Sequence, residues 1–172
     1  YQTLKQNTTG IQNVAMGTNA LLNNLTGNNN TAVGYQALYS NTGGTGNVAM
    51  GNSAMYNNTN GFHNTAIGHE SLRFGTTGSK NTAIGYQTLY SVTGGTGNVA
   101  IGYQAGNSFN YNNCTFLGNN TDATSNNFVN STAIGYGATI SASNQVVIGG
   151  TGTNAPTQIN LGSTGTTINV NY

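Results

Sequence analysis

Hydrophobic and polar positions alternate over short stretches of this sequence, and the same stretch returns many times. In "NTAI" at 81–84, Asn and Ala fall on one side of an extended chain, and Thr and Ile fall on the other. Near-copies stand at 30–33 and 98–101, each followed by glycine. The alternation predicts short β-strands, and the glycines between them predict turns.

The glycine that closes each copy recurs at a fixed step. The step is 17 residues for the first six members and then 16, 17 and 14 residues, in the series Gly17, Gly34, Gly51, Gly68, Gly85, Gly102, Gly118, Gly135 and Gly149. A unit of this length is too short for a helix–turn–helix repeat, and Asn, Thr and Gly are poor helix formers. The spacing predicts an all-β fold, a parallel β-solenoid (β-roll) with one 17-residue coil per repeat.

In such a solenoid, residues one coil apart stack as ladders. Side-chain amides in an Asn column can bond along the stack, as they do in cross-β assemblies. We expect Leu, Ile and Val columns to form the core and Ala to fill the tight side of the coil. The predicted structural ladders are Asn47, Asn64, Asn81 and Asn98; Ile67, Ile84 and Ile101; and Gly51, Gly68, Gly85 and Gly102.

The repeat divides the chain into four segments. Residues 1–10 are predicted to lead in from a longer chain, and residues 11–118 to form the regular coils. Residues 119–149 are predicted to form irregular coils. Residues 150–172 alternate without the repeat, in "TQINLGSTGTTINVNY" after Pro156, which predicts a transition to narrower strands.

Composition narrows the class of protein. Charged residues make up 3% of the 172 residues and the net charge is +1, so no basic patch can neutralise a row of phosphates. A disordered chain usually carries high net charge and lacks apolar residues at fixed positions, so disorder is disfavoured. No apolar run approaches the length of a membrane span. The sequence therefore predicts neither a nucleic-acid partner nor membrane insertion.

The predicted core is thin. Each coil offers only about three medium apolar side chains, and their burial does not offset the conformational entropy lost on ordering the coil. Several chains that share one core would remedy this deficit. We therefore expect an obligate oligomer.

The repeated phrase resembles a known group of proteins. "NTAIGYQTLY" at 81–90, "GNVAIGYQAG" at 97–106 and "STAIGYGA" at 131–138 resemble the head repeats of YadA-like trimeric autotransporter adhesins and the similar repeats of bacteriophage tail fibres. The resemblance covers about residues 11–149. It implies a left-handed parallel β-roll, a homotrimer about a common axis, and attachment to a host surface. The coil is longer than in the adhesins, which favours the phage-fibre relatives.

The sequence offers little material for catalysis. Glu70 and Asp122 are its only carboxylate side chains and stand about three coils apart, too far for a paired acid and base in one chain. His63 and His69 lack a tight metal spacing, and Cys114 is remote from both. We expect no enzyme activity, no metal and no cofactor.

One coil concentrates the unusual residues. Most of the charge in the chain falls within residues 62–80, where Arg73 replaces tyrosine in a tyrosine column and is expected to form a cation–π pair. One interpretation is that a single outward-facing coil simply varies. The alternative is a patch that binds a sugar or surface polymer, with the candidate residues Tyr39, Tyr56, His69, Glu70, Arg73 and Tyr90.

The sequence therefore predicts a structural and adhesive segment of a trimeric fibre, extracellular or on a virion surface. Its partners would be two further copies of itself and a host-surface glycan or protein. Two alternatives stay open. One is a self-assembling extracellular β-solenoid filament, and the other is an ice-binding protein that uses a threonine column, namely Thr42, Thr59, Thr76 and Thr93.

Overall fold

A computed structural model describes residues 2–150. That part of the chain is all-β without a helix, and every strand is two or three residues long. The strands are β1 (Val14–Met16), β2 (Thr31–Val33), β3 (Val48–Met50), β4 (Thr65–Ile67), β5 (Thr82–Ile84), β6 (Val99–Ile101), β7 (Thr115–Leu117), β8 (Asp122–Ala123), β9 (Thr132–Ile134), β10 (Thr139–Ile140) and β11 (Val146–Ile148).

The predicted solenoid is confirmed. Nine strands form one parallel sheet in the order β1-β2-β3-β4-β5-β6-β7-β9-β11, and β8 pairs with β10 in a second, two-stranded sheet. Thr65 pairs with Thr82 and Ile67 with Ile84, so the register follows the 17-residue step. Each coil therefore contributes one strand to the sheet and stacks on the coil before it.

The nine-stranded sheet has an inward and an outward side, and one apolar column lies on the side opposite to the one expected. Ala66 and its column equivalents lie inside the coil and are fully buried from β2 to β6. The Ile, Met and Val side chains one residue later point outward, although they were expected in the core of the coil. The prediction for this column is wrong because neighbours in a strand face opposite sides, so an inward Ala forces the next side chain out.

The apolar interior is completed by the turn after each strand. A leucine or methionine in this turn is buried and takes a left-handed backbone conformation, with φ of 48–51°. The members of this column are Leu21, Leu38, Met55, Leu72 and Leu89. The left-handed conformation folds the chain back sharply, which brings these side chains against the inward alanines.

Two asparagine ladders run through the interior. In the predicted one, Asn64 Nδ2 donates to Asn47 Oδ1 at 3.2 Å and to the carbonyl of Gly78 at 2.8 Å. The backbone N–H of Asn81 in turn donates to Asn64 Oδ1 at 2.9 Å. The second ladder, in which each Nδ2 donates to the preceding Oδ1 at 2.7–2.8 Å, was not predicted and consists of Asn7, Asn24, Asn41 and Asn58. A buried amide of the first ladder thus bonds to the coils on both sides, whereas a buried amide of the second bonds to the preceding coil and to its own turn, as Asn24 and Asn41 do through the carbonyls of Gly27 and Gly44.

The coil pattern extends into the predicted lead-in segment. Leu4 N–H donates to the carbonyl of Ala20 at 3.2 Å, and Asn7 belongs to the second asparagine ladder. The segment 1–10 therefore contains coil residues from Leu4 onward. At the other end, the predicted change to narrower strands over 150–172 lies, apart from residue 150, outside the described residues.

The coils after Gly106 depart from the regular pattern. Gly106 stands in the leucine column, while Phe116 stands in the inward alanine column and is fully buried. A Cβ at Gly106 would lie 2.9 Å from the Phe116 ring. The large side chain therefore fills the space that leucine occupies in the other coils.

Candidate ligand-binding surface

The coil that was singled out in the sequence has aromatic and charged side chains in contact. The Arg73 guanidinium lies 5.5 Å from the centre of the Tyr56 ring and 5.7 Å from that of Phe74. Tyr56 in turn stacks parallel on Tyr39 with ring centroids 4.9 Å apart. The expected cation–π pair is thus present, because Arg73 continues the tyrosine column as one more flat group.

The charges of this coil are largely satisfied by one another. Glu70 forms an ion pair with Arg73, accepts a hydrogen bond from Gln87 Nε2 at 2.7 Å, and lies 3.8 Å from His69 Nδ1. The Glu70 side chain is 14% exposed. A carboxylate held by three neighbours has little capacity left for an outside ligand, so this cluster offers aromatic and amide contacts rather than free charge.

The aromatic faces of the predicted patch are mostly covered. Tyr39 and Tyr56 cover one another, Arg73 lies over Tyr56, and Tyr90 meets Phe74 edge-to-face at 5.0 Å. The rings therefore present edges and hydroxyl groups to solvent. The candidate residues do form one neighbourhood, but a sugar cannot stack on the faces shared by Tyr39 and Tyr56.

A second aromatic column lies beside this patch and was not predicted, apart from His69. Its members directly follow the closing glycines, which is the sequence signal that identifies them. His69 stacks on Tyr86 at 5.3 Å and Tyr86 stacks on Tyr103 at 5.1 Å, both nearly parallel. Tyr35 and Tyr136 belong to the same column and are exposed.

The outward side of the nine-stranded sheet is an extended apolar surface. One column of this face is apolar in every strand, and seven of its nine members are 36–62% exposed: Met16, Met50, Ile67, Ile101, Leu117, Ile134 and Ile148. The neighbouring outward column consists of Val and Thr. At about 4.8 Å per strand the face is about 38 Å long.

The remaining candidate groups are buried away from this surface. Cys114 continues the first asparagine column inside the coil, where burial raises the pKa of its thiol. The Tyr111 hydroxyl donates to the Asp122 carboxylate. Burial raises the pKa of Tyr111 most, and the negative charge of Asp122 raises it further. Residues 2–150 hold no group of three potential metal ligands and no enclosed pocket. The two carboxylates have separate partners, because Glu70 contacts Arg73 and Gln87 whereas Asp122 contacts Tyr111.

Comparison with known proteins found no similar protein. No family model, curated protein or solved structure matches the chain. Over the described part of the chain, no helix with the length and apolarity of a membrane span is found.

Proposed function

We propose that this chain is a structural and adhesive segment of a homotrimeric fibre, a phage tail fibre or a surface adhesin, displayed outside a cell or on a virion. In this proposal three copies lie side by side with their solenoid axes parallel. The outward apolar face of each sheet packs against the same face of its neighbours. The resemblance of the repeated motif supports the trimeric state, and the apolar face is the surface through which the copies would contact one another.

The single observation that carries the proposal is the unbroken apolar column on the outward face. Parallel sheets occur almost only with both faces covered, and here one face is covered by the coil itself. Monomeric soluble proteins rarely expose a continuous apolar patch larger than a few hundred Å². A second and a third copy would cover the face along its whole length, because each chain carries the same column at the same levels.

The low charge of the chain fits this arrangement. The chain has only five charged side chains, Lys5, Glu70, Arg73, Lys80 and Asp122, so like-charge repulsion between parallel copies is small. The aromatic and amide groups at the edge of the face would then remain on the outside of the fibre. These groups are the proposed attachment surface, and Arg73→Ala and Tyr56→Ala should weaken attachment to host cells if the predicted patch takes part.

The assembly is tested by a charge placed in the middle of the face. Ile84 lies in the central strand of the nine, and Ile84→Lys would put an ammonium group into a dry contact between copies. The native mass should fall from three times the 17.6 kDa of one chain to that of one chain. Thr77→Lys, at an exposed position off the face, is the matched control and should stay trimeric. A wild-type chain that is monomeric by native mass would overturn the proposal.

Neither alternative function gains support from a specific contact. The hydroxyl groups of Thr42, Thr59 and Thr76 donate to backbone carbonyls of the next coil at 3.0–3.2 Å. They are therefore not free to donate to an ordered water layer, which disfavours ice binding. An end-to-end filament is favoured by uniform coils, whereas the step between closing glycines changes from 17 residues to 16 at Gly118 and to 14 at Gly149.

A further inference from the structure

The aromatic column that follows the closing glycines is interrupted twice between aromatic neighbours, and we call these two positions its missing rungs. Within residues 2–150 it reads, from the first coil to the last, Thr18, Tyr35, Asn52, His69, Tyr86, Tyr103, Asn119, Tyr136 and Gly150. Asn52 therefore lies between Tyr35 and His69, and Asn119 lies between Tyr103 and Tyr136. At each of these two levels a small polar side chain separates two aromatic rings.

Backbone hydrogen bonds hold these positions in single file. Ser53 N–H donates to the carbonyl of Tyr35 at 2.8 Å, and Glu70 N–H donates to the carbonyl of Asn52 at 2.9 Å. The same bonds recur at the second level, where Asn120 N–H donates to the carbonyl of Tyr103 at 2.8 Å. Successive residues of the column thus lie one coil apart, and they cannot shift past one another without breaking these backbone hydrogen bonds.

The gaps have the height of one ring. Filled neighbours in this column stack at 5.1–5.3 Å, and a coil rises by about 4.8 Å, so the rings on either side of a missing rung are about 10 Å apart. A ring inserted halfway would lie about 5 Å from each wall, inside the range of aromatic stacking. Each gap is therefore a slot for one ring.

The exposure of the tyrosines agrees with free ring faces at the gaps. Tyr86, which has a ring on both sides, is 40% exposed, whereas Tyr35, Tyr103 and Tyr136 beside the gaps are 49%, 48% and 56% exposed. These free faces distinguish the slots from the tyrosine stack of Tyr39 and Tyr56, whose shared faces are covered.

The floor of each slot favours a sugar over a flat apolar group. Asn52 Oδ1 accepts a hydrogen bond from Ser53 Oγ at 2.9 Å, which leaves its Nδ2 without a partner among residues 2–150. Asn119 is exposed as well. Amides bond to hydroxyl groups, while the tyrosine faces accept the C–H groups of a pyranose ring.

We propose that each of these two slots binds one neutral hexopyranose ring of a glycan, clamped between two aromatic side chains over an asparagine. The proposal deepens the attachment role and rests on it for its biological meaning, although binding itself requires only the coil geometry. The two slots lie four strands apart on the same column, so one extended glycan or two branches could occupy both.

The test fills the missing rungs. Asn52→Tyr and Asn119→Tyr complete the aromatic column, and the fold should tolerate them because the same column already carries tyrosine at four positions. Cellohexaose and mannohexaose serve as probes in saturation-transfer NMR and in titrations of tyrosine fluorescence, which no tryptophan obscures because the chain has none. Each single variant should lose about half of the wild-type signal from whichever probe binds, and the double variant should lose all of it.

A gain-of-function variant makes the test sharper. Tyr86→Asn removes a filled rung and creates a third slot between His69 and Tyr103, so the binding signal should rise by about half. Asn60→Tyr, which adds a tyrosine at an exposed position elsewhere, is the matched control and should bind like the wild type.

Three results would overturn the proposal: no binding of either oligosaccharide, equal binding by wild type and the double variant, or binding of phenol alone with the same dependence on the variants. The last result would assign the slots to an aromatic group of a partner. Native mass is measured on every sample. A trimer that binds no sugar refutes the slots alone, whereas a monomer that binds sugar supports the slots and refutes the fibre assembly.

Discussion

The coils before Gly106 and the coils after it fill the same interior in different ways. In the regular coils the buried columns largely repeat one residue type, so alanine lies on alanine, asparagine on asparagine, and leucine on leucine apart from Met55. After Gly106 the columns change type, and a large residue in one column is matched by a small one in another, as with Phe116 and Gly106. The polar interior changes too, because the asparagine column passes from Asn98 to Cys114 and then to Ser131.

This difference shows where the sequence is constrained. In a stack of identical coils, a substituted side chain packs between residues of the original type in the coils above and below. The effect of a substitution on stability therefore depends on its own column. In the later coils the effect depends instead on a particular neighbour in another column. Substitutions to the same small residue should therefore have unequal effects in the two regions, and measuring their stabilities tests this difference.

The largest expected effect is at the closing glycines. Gly68 has φ of +131°, and a Cβ there would lie 2.3 Å from the carbonyl oxygen of Gly85, which is backbone and cannot give way. Gly68→Ala should destabilise the fold by more than about 4 kcal/mol or prevent folding. In the later coils Gly137 stands two residues after the closing Gly135, outside the closing-glycine column. With φ of +64° and nothing within 4 Å of such a Cβ, it should accept alanine at a cost of about 1–2 kcal/mol.

Chemical denaturation followed by circular dichroism, at one protein concentration, measures both variants. Comparable losses at Gly68 and Gly137 would contradict the close stacking of the closing glycines.

The next largest loss of stability is expected at Gly106 and Phe116, where a small and a large residue have exchanged columns. Phe116→Ala should destabilise by about 3–5 kcal/mol because it leaves a cavity beside Gly106. Gly106→Leu alone should also destabilise, since its Cβ would lie 2.9 Å from the Phe116 ring and 3.0 Å from Leu89. The double variant restores the regular pattern and should recover about 1–3 kcal/mol relative to the sum of the two. Strict additivity in this double-mutant cycle would show that the two positions do not share one space.

A smaller difference is expected within the asparagine column. Asn64→Ala removes the acceptor of the Asn81 N–H and the donor to the Gly78 carbonyl, both buried, and should cost about 2–4 kcal/mol. Cys114→Ala, in the same column, leaves the bond from its own N–H to Asn98 Oδ1 intact and should cost about 1 kcal/mol. Thermal unfolding of both variants provides the measurement. An Asn64 variant as stable as the Cys114 variant would mean that the ladder contributes no net stability.

The smallest effect is a pH dependence confined to the later coils. Burial and Asp122 raise the pKa of Tyr111 in the folded chain above the ordinary tyrosine value of about 10. The folded state therefore keeps a proton that the unfolded state loses as the pH rises past 10. Stability is full below that pH and should fall by up to about 1.4 kcal/mol per pH unit above it. Tyr111→Phe should reduce this slope in alkaline denaturation, and an unchanged slope would assign the loss to other groups.

Much of the regular region could be predicted from the sequence. The 17-residue step fixed the strand register, and the alternation within "NTAI" placed Thr and Ile opposite Asn and Ala. The ladder of Asn7, Asn24, Asn41 and Asn58 carried the same spacing and could have been found in the same way. The Ile column was expected in the core because of its apolar character. Alternation set it opposite the alanine column but did not decide which of the two columns faces out of the coil.

The later coils and the slots could not be predicted in the same way. The compensation between Gly106 and Phe116 requires the length and direction of a phenylalanine side chain across the coil, which no spacing gives. The covered faces of Tyr39 and Tyr56 likewise follow from the stacking of successive coils. The missing rungs at Asn52 and Asn119 become visible only when the column is known to point outward.

The central claim is that the alanine column faces into each coil while the isoleucine column beside it meets the same column of other copies. It is tested most directly by single cysteines placed in the two columns, in a Cys114→Ser background. After mild oxidation, Ile67→Cys should give disulfide-linked dimers, with one free thiol left per trimer, whereas Ala66→Cys should stay monomeric under denaturing conditions. Cross-linking through Ala66→Cys, or none through Ile67→Cys, would contradict the account.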